Sequence, residues 1–180
     1  MDPGLPIPTA NLGRRRCRFA FPGTNRHWVS VIDDDEKADV VIEGTVLESR
    51  MSLADLPLNH SSFDWNLMLE PDPAYRPMLA EHPRQVPRDP ERPDLGQVDV
   101  MEIEWETNHL PLEFRPVRGD RAWIMGRWIF DCGHKPFKTE IHPPKALAFG
   151  RLEPVSFGND ALPAWTRVAG LRRRQMGSAR

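Results

Sequence analysis

The stretch FDWNLMLE, residues 63–70, decides the fold class. Phe63, Trp65, Leu67 and Leu69 alternate with Asp64, Asn66, Met68 and Glu70, the period of two that a strand shows when one face lies on a core. The run stops at Pro71-Asp72-Pro73, where two prolines end pairing and Asp72 can cap a turn. The same period returns in DVMEIEWE, residues 99–106, with Met101, Ile103 and Trp105 on one face and Glu102, Glu104 and Glu106 on the other. Three carboxylates on one strand face repel one another unless solvent or a cation screens them.

Three further strands follow from composition. Asp39 to Ser49 (DVVIEGTVLES) is rich in β-branched residues, and its central Gly44 suggests a bend or bulge. Ala122 to Phe130 is the strongest apolar run, and Thr139 to His142 reads as a short strand ended by Pro143-Pro144. Ala74 to Glu81 suits a short helix. Residues 82–97, with four prolines and little apolar surface, read as a long exposed loop. Lys145 to Arg151 carries no decisive signal. The expected architecture is therefore mainly β: a small five-stranded, partly open barrel of the oligonucleotide/oligosaccharide-binding kind, with one or two short helices. A β-sandwich or a jelly roll would also accommodate these strands. The expected organisation is an N-terminal tail or strap over 1–38, a barrel over 39–157 and a basic C-terminal tail over 158–180.

Composition narrows the function classes. A chain of 180 residues suits one domain, and 19 prolines, about twice the usual ~5%, favour short strands and shaped loops. A net charge of −2 gives no general attraction to nucleic acid or anionic membrane, although arginines crowd both ends. No apolar run of about 18 residues is present for a membrane span, and no secretion signal is evident. Two cysteines, Cys17 and Cys132, make neither a disulfide framework nor a four-cysteine zinc site. A reduced, cytoplasmic location is the expectation.

The candidate chemistry lies in GRWIFDCGHKPFKTEIHPP, residues 126–144, which crowds Asp131, Cys132, His134, Glu140 and His142 together. Glu140 and His142 fall on one side of a strand, and Gly133 permits a corner that turns His134 toward them. Imidazole and carboxylate suit zinc, iron or manganese. The metal-ligand set read here is His134, Glu140 and His142, with Asp131 orienting His134 and with Glu102 and Glu104 as additional ligands if their strand is adjacent. The same residues would equally serve as a purely structural hydrogen-bond network. Cys132 lies two residues from His134, yet an inert core cysteine is the simpler reading. Ser61, Ser62, His60 and Asp64 lack the Gly-x-Ser-x-Gly elbow of a hydrolase. Trp123, Arg127 and Trp128, with Trp28, form a candidate stacking platform for bases or sugars, whereas Trp65 and Trp105 fall on core faces.

The runs FDWNLMLEPDP (63–73) and GRWIFDCGHKPFKTEIHPP (126–144) resemble those of an uncharacterised group of bacterial β-barrel domains, over residues 40–150. The Glu-Ile-His-Pro element is the most specific part. The resemblance implies a compact barrel, matches Asp131, His134, Glu140 and His142, and carries no established activity. Three functions follow as expectations: a binding or accessory barrel whose cluster takes a divalent cation or a small polar ligand; a metal-assisted hydrolase with Glu140 or Glu104 as base; and single-stranded nucleic-acid binding through Trp and Arg.

Overall fold

The computed structural model describes residues 28–32, 39–52, 64–105, 114–132, 137–157 and 160–172, with side chains placed through residue 151. Among the described residues there are eight strands: β1 (Trp28–Ser30), β2 (Asp39–Met51), β3 (Trp65–Pro71), β4 (Arg84–Pro87), β5 (Gln97–Trp105), β6 (Arg121–Asp131), β7 (Lys138–Phe157) and β8 (Asp160–Arg172). The helical content among the described residues is two short 3-10 turns, Pro73–Met78 and Pro93–Leu95. The first falls where a short helix is expected.

Five strands close a barrel in the order β6-β2-β3-β5-β7, with β7 returning to β6. They are the five strands legible in the sequence. All neighbours are antiparallel except β5 and β7, whose parallel seam comprises the register pairs Glu102↔Glu140 and Ile103↔Ile141. The inward side chains of the five strands fill the barrel: Ile42, Leu67, Leu69, Met101, Ile103, Ile124, Trp128, Phe130 and Ile141 are all at most 2% exposed. Each such side chain contributes about 1.5–3 kcal/mol when fully buried, so this interior is the main source of stability.

Gly44 permits the closest approach in the wall. A Cβ built there would lie 2.1 Å from the Glu70 carbonyl oxygen, and the register of β2 against β3 shifts just beyond it, between Val46 and Glu48. The bend expected at Gly44 is thus a close approach followed by a bulge. Gly44→Ala is expected to cost about 2 kcal/mol through overpacking, lowering Tm by about 4–8 °C; a thermal melt of the variant checks this.

Three stretches differ from expectation. Within the supposed loop 82–97, Arg84–Pro87 forms β4 and pairs with the start of β5. The reason is Val86, which packs with Leu47, Met68, Val98 and Val100 in a second apolar cluster on the outer face of the barrel. Pro143 and Pro144 do not end β7. They sit at an irregularity opposite Gly126, where proline's missing donor is tolerated, and a Cβ on Gly126 would meet Ile141 and Pro144 at 2.6 Å. β7 therefore runs on through 145–151. Residues 160–172, expected within a tail, pair antiparallel with the far half of β7 as β8. The long hairpin partner is what orders them, a contact that period and composition do not reveal.

Candidate metal centre

The parallel seam builds the site. Because β5 and β7 run side by side with Glu102 opposite Glu140, period two sends Glu102 and Glu104 outward beside Glu140 and His142, while Met101, Ile103, Trp105 and Ile141 enter the core. One ligand atom from each of Glu104, Glu140 and His142 lies within 4.8 Å of the others. Metal–oxygen and metal–nitrogen bonds of about 2.0–2.2 Å would draw such atoms round one ion with small side-chain rotations. His142 Nδ1 donates to Glu104 Oε2 at 2.7 Å, and both side chains are about 15% exposed or less. The proton in that bond is the one a metal ion would displace.

Charge at the seam is lopsided. Glu140 is 7% exposed and Glu102 6%. Burial first, then Glu102, Asp131 and Glu104, hold the Glu140 carboxyl well above its ordinary 4.5, and His142 pulls it down. Two carboxylates about 5 Å apart repel by roughly 3 kcal/mol at an effective dielectric of ~20, more than a surface ion pair of about 0–1 kcal/mol returns. Burial and this repulsion therefore favour the neutral Glu140 carboxyl unless a cation faces it. Glu102 is compensated differently. Its Oε1 accepts from Asn66 Nδ2 at 2.8 Å and from Arg84 Nη1 at 3.1 Å, and its Oε2 lies 3.1 Å from Arg84 Nε. Burial still raises its pKa, opposed by Arg84 and Asn66.

The sequence candidates divide accordingly. Glu140, His142 and Glu104 come together; Glu102 adjoins them but is bound to Arg84 and Asn66. Asp131 is 9% exposed and acts on Glu140 electrostatically. His134 lies outside the described residues, as do Gly133, His60, Ser61 and Ser62. Cys132 is buried and disulfide-bonded, which removes it as a thiolate nucleophile; Cys17 lies outside the described residues.

The stacking platform of Trp123, Arg127 and Trp128 is not formed. Trp128 points into the core at 2% exposure, since period two sends it to the face opposite Trp123 and Arg127. Trp123 is 36% exposed in register with Glu43 and Ala148, away from the seam. Arg127 instead lies 5.8 Å from the Trp28 ring, and that ring is 6.0 Å from His142, so Trp28 flanks the metal centre. Trp105 is in the core as expected.

Arg84 and Asn66 are the site neighbours that sequence reasoning misses. Arg84 lies in a stretch that reads as loop, and Asn66 reads as one more polar residue of an alternating strand. Among the described residues no helix is long and apolar enough to cross a membrane. No family model, curated protein or solved structure matches this chain.

Proposed function

We propose that this chain is a binding or accessory β-barrel domain that holds one divalent metal ion between Glu104, Glu140 and His142. The convergence of those three ligand atoms around a buried, crowded carboxylate carries the reading. Zinc, iron and manganese all accept a carboxylate and imidazole set. In this role His142 supplies a neutral nitrogen and the two glutamates balance the ion's charge. A small polar ligand would reach the ion from the side that Trp28 flanks.

The hydrolase reading is weaker, because Glu104 and Glu140, its two candidate bases, both belong to the ligand set. Nucleic-acid binding retains the Arg127–Trp28 pair beside the site. The strand order of the closed barrel supports the kinship with oligonucleotide/oligosaccharide-binding barrels. As to location, disulfides persist in oxidising compartments, so the bonded Cys132 favours such a compartment over the cytoplasm.

Elemental analysis of untagged protein, purified without chelator, tests the metal reading. The expected result is close to one equivalent of metal per chain, lost in His142→Ala while the fold is kept. A folded parent chain that takes up no zinc, iron or manganese, even when these are added, refutes it.

A further inference from the structure

Asn66 carries an observation that the three-ligand set does not use. The residue is 8% exposed, and its Oδ1 is a buried oxygen that accepts no hydrogen bond from the described residues. A buried amide oxygen left in this state costs about 1–3 kcal/mol, so its retention calls for a partner. The other end of the same amide is fixed, because Nδ2 donates to Glu102 Oε1. Asn66 is also the register partner of Glu104 across the β3–β5 pair, with strands about 4.8 Å apart. Asn66 and Glu104 lie on the same outer face, and His142 adjoins Glu104 from β7.

Resting on the metal reading above, we propose that Asn66 Oδ1 is a fourth ligand, so that the ion is held by Asn66, Glu104, Glu140 and His142 from three adjacent strands. The resulting set has three oxygens and one nitrogen. Carboxylate and amide oxygens suit manganese, whereas added nitrogen or sulfur would favour zinc or copper. The class of ion we assign is therefore Mn2+. A sheet also holds donors more rigidly than a loop does, which suits a site selecting by donor type and geometry.

Asn66 has two functions in this account, and two substitutions separate them. Asn66→Leu loses both the Nδ2 donor to Glu102 and the Oδ1 ligand. Asn66→Asp loses the donor, adds repulsion toward Glu102, and keeps an oxygen for the ion. Mn2+ is titrated into the chelator-treated full chain, followed by electron paramagnetic resonance and calorimetry, with Zn2+ as the comparison ion and thermal melts as the check on folding. The expected result is a loss in Mn2+ affinity of about 10- to 100-fold in Asn66→Leu, the range that losing a metal site's supporting partner already produces. The loss for Zn2+ should be smaller, and Asn66→Asp should bind Mn2+ at least as tightly as the parent. If Asn66 only positions Glu102, Asn66→Asp will bind as weakly as Asn66→Leu or more weakly, which overturns the proposal. Equal Mn2+ binding by the parent and Asn66→Leu, with loss in His142→Ala, also overturns it and leaves the three-ligand site standing. A parent chain that binds neither ion removes the metal reading and this inference with it.

Discussion

Glu140→Gln is expected to melt higher than the parent chain in the metal-free state and to lose divalent-metal binding. The carboxyl of Glu140 is raised well above 4.5 by burial and by its three acidic neighbours. A group whose pKa is higher in the fold than in the unfolded chain holds more protons when folded. The stability it contributes is complete below about pH 4.5 and falls as pH rises through the folded pKa. Glu102 shifts in the same direction, with burial the largest cause, and adds to the trend. The metal-free parent should therefore lose Tm as pH rises above about 4.5 and through the raised folded pKa of Glu140. Glutamine keeps the size of the side chain and cannot ionise, so it removes the Glu140 part of this slope. A gain on the order of 1 kcal/mol at neutral pH corresponds to about 2–4 °C in Tm. Metal reverses the sign for the parent, because the ion binds the deprotonated carboxylate and binds more tightly as pH rises. Melts at several pH values, with and without added metal, check both halves. A metal-free Glu140→Gln protein that melts below the parent at neutral pH would show that the carboxylate is satisfied without an ion.

Asp120→Ala is expected to be the most destabilising of the substitutions considered. Asp120 is 1% exposed, accepts Arg151 Nε at 2.9 Å and Nη2 at 2.8 Å, and takes the Val117 N–H at 2.8 Å. Its backbone locks the same corner: the Asp120 carbonyl accepts from Val46 N–H, and Gly119 N–H donates to the Val46 carbonyl. Removing the carboxylate leaves a partly buried guanidinium without its bidentate acceptor and frees a turn amide. Breaking one side of a buried pair costs about 3 kcal/mol, and Tm should fall by about 6–12 °C. Asp120→Asn, which retains one acceptor oxygen, should fall between the parent and Ala. A Tm for Asp120→Ala within a degree or two of the parent would contradict this assignment.

That corner shows what the sequence makes legible and what it does not. Arg118-Gly119-Asp120 reads directly as a turn, and Gly119 does adopt a positive φ of 90°. The link from Asp120 to Arg151 spans 31 residues and two strands, and no local pattern announces it. The five barrel strands are legible for the same reason the turn is, since period two and β-branched runs are local signals. β4 is hidden because one apolar residue, Val86, sits between Pro83 and Pro87, and its value emerges only beside Val98 and Val100. β8 is hidden because its order comes from the hairpin with β7.

The site follows the same division. Glu140 and His142 share a face by alternation alone, and the Glu102/Glu104 face is conspicuous as a row of like charges. Bringing those faces together depends on the parallel pairing of β5 with β7, a property of topology. Asn66 joins them only through its register with Glu104. Trp128 illustrates the converse error: tryptophans near arginine suggest a stacking surface, but one step along a strand exchanges surface for core.

The most direct test is an anomalous-scattering map from crystals of the full chain grown with Mn2+, recorded on both sides of the manganese absorption edge. The account predicts one strong peak at the β5–β7 seam, within bonding distance of Glu104, Glu140 and His142. Crystals in which the seam shows no manganese, with Glu140 instead hydrogen-bonded to protein groups, would contradict it and leave the cluster a structural network.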